Sequence, residues 1–513
     1  MPKKVLSILL SALMLVLLFA PAAAAADSGS IYPVVYLQGK GDFLYDKDGN
    51  TIFPIPKVTT SFIEKKGANL LWKYNYAARV SGFQYAWDDY TNSFIDVMKE
   101  VYEDVVPNED GSVTDGSGGN FSWTVESLRV QEPEENDPYG AFGFKYHYDW
   151  RLDPLEVAEG LHDFIQDLKE AKGVKKVNLI GRCLGANIGL AYLYKYGASD
   201  INMFIDYCGV IKGTDLIGEG FSGKIHVNEV AFNDYIDKNL GGISTANNML
   251  VWAIKRFNGS AMANNVFDKV GPKLIPGILK TGYAYMPSYW SMVNDKYYEE
   301  AKAFIFGDET ERYSVLIKKI DDYHYNVMNH AEEILTDLVS KGMKIAIVSK
   351  YGVSTMPIIE DYDQVSDGTV SVTSSTFGAT TSKASESLPA DYLNRAAFNG
   401  TYRYISADRQ IDCSTCLFPQ YTWCVRGLRH TEFPAGINRL CKYLFSCSKQ
   451  PTVFDNNGYT QYLYYDDATD MLTNMPVIPK TTSSASEFSA IYVYLQNVFY
   501  IVSRVYHLIA RTF

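Results

Sequence analysis

The feature that most constrains this chain is the run Leu179-Ile180-Gly181-Arg182-Cys183-Leu184-Gly185-Ala186. The apolar segment before it, Val174 to Ile180 (VKKVNLI), reads as a strand ending in a turn at Gly181, and Ile188 to Tyr196 continues as a helix. When a strand feeds a helix through so sharp a turn, the central residue sits in a cramped backbone and its neighbours must be small. Cys183 is that central residue. A thiol at a helix N-terminus gives up its proton more easily, because the unpaired N–H groups and the helix dipole favour negative charge. Arg182 adds a cation next to it in sequence. The run therefore predicts an α/β architecture that presents a sulfur nucleophile.

The rest of the chain extends that alternation. Tyr32 to Leu37 (YPVVYL), Phe144 to Trp150 (FKYHYDW), Met203 to Val210 (MFIDYCGV) and Gly342 to Ser349 (GMKIAIVS) read as strands, with Tyr421 to Val425 as the final one. Helical spacing runs from Leu155 to Ala171 and from Ala331 to Val339. Strands alternating with helices imply a mostly parallel sheet with right-handed crossovers. From about Asp215 to His330 the alternation stops, and a helical pattern rich in Tyr, Trp, Phe, Asn and Met takes over. That stretch reads as a helical cap inserted above the sheet. The region after the first strand is rich in turn signals, at Asp48-Gly49 and between Asn108 and Asn120. Asp46, Asp48 and Asn50 are spaced like a calcium loop, but Lys57 stands where the twelfth, acidic ligand belongs, so a hairpin turn is expected. His147 reads as a strand residue and His162 as an exposed helix residue.

At 513 residues, length alone would suggest about three domains, yet no linker divides the chain. The expected organisation is an export signal at residues 1–26, one sheet domain over 27–485 with its cap at about 215–330, and an amphipathic helix over 486–513. Lys3 and Lys4, the apolar run Val5 to Phe19 and the alanines before Asp27 form the signal; an uncleaved anchor is the alternative. The tail carries Ile491, Leu495, Val498, Val502, Val505 and Ile509 as one apolar seam. Polar residues interrupt it, so it reads as a docking or self-association helix, or as an interfacial contact with a membrane or the cell surface, rather than a span. A net charge of -12 argues against nucleic acid as the main partner. Seven cysteines is an odd count for an exported chain, so at least one thiol is expected to be unpaired or to pair between chains. Five lie between Cys413 and Cys447 without zinc-ribbon spacing; one or two disulfides are expected there, with connectivity open.

The strand–turn–helix around Cys183 has the form of the nucleophile elbow of α/β-hydrolases, which predicts the chain order nucleophile, acid, histidine. Asp367, in the loop Val365-Ser366-Asp367-Gly368, is the expected acid, with Asp361 and Asp363 as competitors. His430, in the loop after the Tyr421 to Val425 strand, is the expected base; His507 lies in the tail helix and fits poorly. Two backbone N–H groups should form an oxyanion hole: that of Leu184, after the nucleophile, and that of Lys40, in the Gly39-Lys40-Gly41 turn. No metal or organic cofactor is implied.

At these residues the chain resembles the lecithin:cholesterol acyltransferase-like branch of α/β-hydrolases, including related bacterial lipases. Tyr148-Asp149-Trp150-Arg151-Leu152 matches that family's YDWRL strand, and Ser366-Asp367-Gly368-Thr369-Val370 looks like its acid loop. Met286-Pro287-Ser288-Tyr289-Trp290 is similar to its aromatic cap segment, which makes Tyr289 and Trp290 candidate substrate-binding residues. Ile411-Asp412, Ser414-Thr415-Cys416 and Thr422-Trp423 look like the stretch preceding the histidine in clostridial lipase-like proteins. The resemblance implies an acyl ester or lipid substrate, with Cys183, Asp367 and His430 as the triad. The sequence departs from the family at two points: Cys replaces the usual Ser, and Gln38 stands where a His often precedes the Gly. The cysteine elbow is similar instead to dienelactone hydrolase and polyhydroxyalkanoate synthase. The expectation is thus an exported acyl-ester hydrolase or lipase-like acyltransferase. A catalytically inactive protein of the same fold that binds lipid or another surface ligand is the second class, and peptidase action a third.

Overall fold

The computed structural model describes residues 32–39, 43–56, 58–80, 84–113, 117–119, 122–130, 143–240, 245–256 and 258–475. The expected export segment, Lys40, and the tail helix with His507 lie outside the described residues.

The architecture is mixed α/β around a mostly parallel eight-stranded sheet. In chain order the strands are β1 (Val34–Leu37), the small hairpin β2 (Leu44–Tyr45) and β3 (Thr51–Phe53), β4 (Phe144–Tyr146), β5 (Val177–Arg182), β6 (Ile201–Tyr207), β7 (Lys344–Tyr351), the small pair β8 (Thr380–Thr381) and β9 (Ile411–Asp412), β10 (Thr422–Arg426), β11 (Tyr462–Asp466) and β12 (Met471–Asn474). The central sheet runs β12-β11-β10-β7-β6-β5-β1-β4, and only β12 is antiparallel to its neighbour. Parallel pairing sets the C-terminal ends of β1, β5, β6, β7 and β10 along one edge of the sheet.

Side-chain alternation divides the sheet between two cores. Val35, Leu37, Leu179, Phe204, Ile345 and Ile347 pack with the helices Pro154–Lys172, Leu184–Tyr196 and Ala331–Ser340 on one face. Tyr36, Ile180, Ile205, Val348, Trp423 and Val425 pack under helix Ala435–Ser446 on the other. Strands covered on both faces lose the polar half of a strand pattern, and every residue of β5 is buried. Helix boundaries follow their caps. Asp153 accepts the Leu155 N–H at 3.0 Å, Pro154 opens the helix, and Gly173 closes it at φ 64°.

Between β6 and β7 the chain runs through the helices Asp215–Phe221, Glu229–Leu240, Thr245–Arg256, Gly259–Gly282, Pro287–Trp290, Asp295–Phe306 and Ser314–Tyr323, ending in a π-helical turn at His324–Met328. The cap is tied to the segment leading to Asp367. The buried Glu219 carboxylate accepts the Glu360 N–H at 2.6 Å and the Asp361 N–H at 3.2 Å, and the Tyr297 hydroxyl donates to it at 3.2 Å. The Ser374 hydroxyl donates to the Gly213 carbonyl at 2.6 Å.

The structure departs from the sequence reading in several places. The region after β1 is not loop-rich throughout: Thr60–Arg79 and Gln84–Tyr102 are long helices, with Trp87 and Tyr90 packed against Val270 and Leu274 of the cap. Their buried stripe is made of Ala, Tyr and Trp rather than Leu and Ile, which weakens the helical signal. The Tyr421 to Val425 strand is not the last, since β11 and β12 follow it. The strand at Phe144 stops at Tyr146, leaving Tyr148 to Leu152 outside it, and His147 is exposed just beyond its end. His162 is half-buried, stacked on Tyr196 with ring centres 4.0 Å apart, rather than exposed. The Asp46 turn is a hairpin, as expected: the Asp46 carboxylate accepts the Asp48 and Asn50 N–H groups at 2.9 and 2.8 Å.

All seven cysteines carry free thiols. Within the Cys413–Cys447 cluster, Cys413 and Cys424 are fully buried with their sulfurs 3.6 Å apart. Small side-chain rotations separate such a pair from bonding distance. Peptide mapping of protein refolded in a glutathione redox buffer is expected to recover a Cys413–Cys424 linkage. Recovery of a Cys441–Cys447 linkage instead would contradict the geometry.

Candidate active site

The turn after β5 is as cramped as the sequence implies. Cys183 has φ 54° and ψ -125°, a backbone rarely adopted by a residue with a side chain, and it directly precedes helix Leu184–Tyr196. Such strain, roughly 1–3 kcal/mol, persists only where the surroundings enforce it. Here the enforcing contacts are close packing on both sides. A Cβ on Gly181 would lie 2.5 Å from the Ala186 Cα, and one on Gly185 would lie 2.2 Å from the Leu37 carbonyl oxygen. The Cys183 side chain is half-buried and rests against Gly39, where a Cβ would meet the Cys183 Cβ at 2.8 Å and its Sγ at 3.4 Å. The first loop after β1 therefore reaches the sulfur, and Gly39 is the described residue that touches it.

Asp367 and His430 meet as expected. Asp367 Oδ1 accepts the Thr369 and Val370 N–H groups at 3.0 and 2.9 Å, and Oδ2 accepts His430 Nδ1–H at 2.7 Å. The His430 N–H also donates to the Asp367 carbonyl at 3.0 Å, so the two loops are joined through backbone and side chain. Nδ1–H committed to the carboxylate leaves Nε2 for the thiol. Nε2 is buried and has no hydrogen bond to another oxygen or nitrogen. The competitor Asp361 instead pairs with Lys296 at 2.9 Å on an exposed surface, and the Asp363 carboxylate accepts the Ser385 hydroxyl at 3.5 Å.

Electrostatics couple the three groups. Burial alone would raise the Cys183 thiol; the His430 charge and hydrogen bond, the Leu184 N–H and the Arg182 charge outweigh it and hold the thiol below its ordinary value. Burial pulls the His430 ring down, but the Asp367 carboxylate and the Cys183 sulfur outweigh that and raise it to about 9. Burial likewise opposes ionisation of Asp367, yet His430, Lys350 and the Val370 N–H hold it below the usual carboxylate range. A lowered thiol beside a raised imidazole favours the thiolate–imidazolium pair at neutral pH. Iodoacetamide at about pH 6 is accordingly expected to alkylate Cys183 selectively. Burial raises the thiols of Cys208, Cys441 and Cys447, and the contact with Cys413, together with burial, raises that of Cys416. Peptide mass spectrometry reads the result, and His430→Gln should move the reaction to higher pH; labelling spread evenly over the thiols would contradict the pairing.

The remaining expected site residues divide. Leu184 is fully buried at the start of the helix, with its N–H directed at the Cys183 sulfur. Lys40 lies outside the described residues. Tyr289 and Trp290 sit inside the cap core. Tyr289 stacks parallel to Phe221, while the Trp290 indole donates to the Ala284 carbonyl at 2.8 Å and is 1% exposed. Trp290 has no free face for a ligand in this arrangement. Its segment serves as a junction, where Asn187 of the elbow helix donates to the Ser291 carbonyl at 2.8 Å.

Sequence reading named Tyr148, Arg151 and Arg182 without the loop contacts they make, and it overlooked Lys350. The Tyr148 hydroxyl donates to the Gln38 carbonyl and so fixes the peptide leading into Gly39. Arg151 pairs with Asp149 at 2.6 Å and donates to the Val105 carbonyl at 3.1 Å, both side chains being buried. Arg182 donates to the Thr431 carbonyl, and Lys350 to carbonyls of the same loop. The available signal for Lys350 was a lone charge closing the apolar strand IAIVSKY.

No protein-family model matches the chain, and no curated protein matches it.

Proposed function

We propose that the chain is an exported α/β-hydrolase-fold enzyme that transfers an acyl group from an ester, lipid esters included, to water or to an alcohol. The strand order, the cap between β6 and β7, and the sequence nucleophile–acid–histidine on the C-terminal edge support this fold reading. The observation that carries it is the line Cys183–His430–Asp367, with Asp367 bonded to His430 at 2.7 Å and the thiol lowered and the imidazole raised by each other's presence.

The chemistry follows from those positions. The Cys183 thiolate attacks the acyl carbonyl carbon, forming the C–S bond while the carbonyl electrons move to oxygen. The Leu184 N–H, with the Lys40 N–H as expected second donor, holds that oxyanion. Collapse breaks the ester C–O bond, and His430 Nε2–H gives its proton to the departing alkoxide. The neutral ring then takes a proton from water or an acceptor alcohol, which attacks the thioester and returns the sulfur as thiolate. Asp367 keeps Nδ1 protonated throughout and so fixes which nitrogen moves the proton. Export rests on the basic and apolar N-terminal pattern; among the described residues no helix is long and apolar enough to cross a membrane.

The test is a panel of short- and long-chain acyl esters with intact-protein mass spectrometry. Ester cleavage with an acyl mass increment on the Cys183 peptide is expected. Absence of both across the panel would favour the inactive ligand-binding reading.

A further inference from the structure

We propose that Lys350 is a positioning residue that holds the His430 loop against the nucleophile; this rests on the reading of Cys183 and His430 as nucleophile and base. Lys350 is the penultimate residue of β7, between Ser349 and Tyr351, is 1% exposed, and lies in register with Val425 of β10. Its ammonium donates to the carbonyls of Arg429, His430 at 2.7 Å, and Glu432 at 3.0 Å. An ammonium has three N–H donors, and all three are matched by carbonyls of one short loop around the histidine.

The neighbouring side chains complete the hold. Arg182, adjacent to the nucleophile, donates to the Thr431 carbonyl, and the Tyr207 hydroxyl donates to the Glu432 carbonyl at 2.8 Å. Every backbone carbonyl from Arg429 to Glu432 is thus held by a side chain rooted at the end of β5, β6 or β7. The Lys350 ammonium also lies 4.9 Å from the Tyr207 ring centre. The charged and titratable groups around it are Asp367, Arg182, Cys208 and Glu432. A loop outside regular secondary structure usually bonds to water; here the Arg429 carbonyl also accepts the Glu432 N–H at 3.1 Å and the Glu432 carbonyl the Tyr207 hydroxyl, whereas the His430 carbonyl is held, among the described residues, by the lysine alone. The lysine replaces that water with a fixed anchor and sets where the ring can stand.

The test uses the full-length protein with Lys350→Met, which keeps the stem and removes the donors, and Lys350→Arg, which keeps the charge. Arginine's planar fork is a poor match for three carbonyls converging on one nitrogen. Two readouts are followed below the unfolding temperature of each variant: iodoacetamide alkylation of Cys183 at about pH 6, and the downfield proton resonance of His430 Nδ1–H, assigned by its loss in His430→Gln. Both variants are expected to slow alkylation at least about tenfold and to broaden or lose the downfield proton. Unchanged signals in Lys350→Met would overturn the proposal. So would full retention in Lys350→Arg with loss in Lys350→Met, since charge alone would then suffice. If wild-type Cys183 alkylates like an ordinary thiol, the nucleophile reading fails, and the downfield proton alone decides whether Lys350 places the histidine.

Discussion

Cys183→Ala is expected to lower kcat for acyl-ester cleavage by about 10⁴-fold or more and to eliminate the acyl mass increment. Alanine removes the atom to which the acyl group would bond while leaving the Leu184 N–H and the His430–Asp367 pair in place. Residual turnover above the uncatalysed rate then measures what binding and the oxyanion site achieve without a nucleophile. The substitution is a clean probe because the elbow does not depend on the sulfur. The φ of 54° is enforced by contacts at Gly181 and Gly185, and alanine must adopt it just as cysteine does. Thermal unfolding should therefore move little while turnover collapses. Turnover within a few-fold of wild type would remove Cys183 from the mechanism.

The second large effect is structural. Gly185→Ala is expected to destabilise the fold by about 3–5 kcal/mol, seen as a lower urea midpoint at similar slope. Its Cβ would stand 2.2 Å from the Leu37 carbonyl oxygen and 2.8 Å from the carbonyl carbon. Both are backbone atoms of β1, which is paired with β5 on one side and β4 on the other. No side chain can rotate away; the elbow helix would have to lift from the sheet, taking Cys183 with it. Gly220→Ala is the control. It lies in helix Asp215–Phe221 with nothing within 4 Å of the added Cβ, so it should be neutral or stabilising by up to about 1 kcal/mol. Equal losses in both variants would mean that the contact with β1 is not what sets the cost at Gly185, since helix propensity alone favours alanine at both positions.

The legible parts of this chain were those in which one local pattern has one physical solution. Gly181, Cys183 and Gly185 could be placed from sequence because a strand entering a helix leaves no room for side chains at the flanks. Asp367 and His430 could be placed by chain order, since the crossovers of a parallel sheet return each strand end to the same edge. The helices Thr60–Arg79 and Gln84–Tyr102 were hidden because their buried side chains include Ala77, Ala86, Trp87 and Tyr90, which periodicity arguments read poorly. Tyr289 and Trp290 had the right composition for a substrate wall, but aromatic rings also make good cap core, and Trp290 is held there by its own N–H. Lys350 and Arg182 act through carbonyls 79–82 and 249 positions away in sequence, a relation no local pattern encodes.

The common edge onto which β5, β7 and β10 empty has a consequence for how this protein can change. The sheet below specifies directions, whereas the groups at its rim specify chemistry, and the two are joined only through short turns. The helices between Asp215 and Met328 leave from that rim after β6, and the chain returns through helix Ala331–Ser340 to begin β7 at the opposite end. Segments can be lengthened, shortened or exchanged there without altering strand register, so what surrounds the rim is free to diverge while Cys183 stays fixed. Grafting a different set of helices between Gly213 and His330 is a route to altered surroundings of Cys183 on the same scaffold.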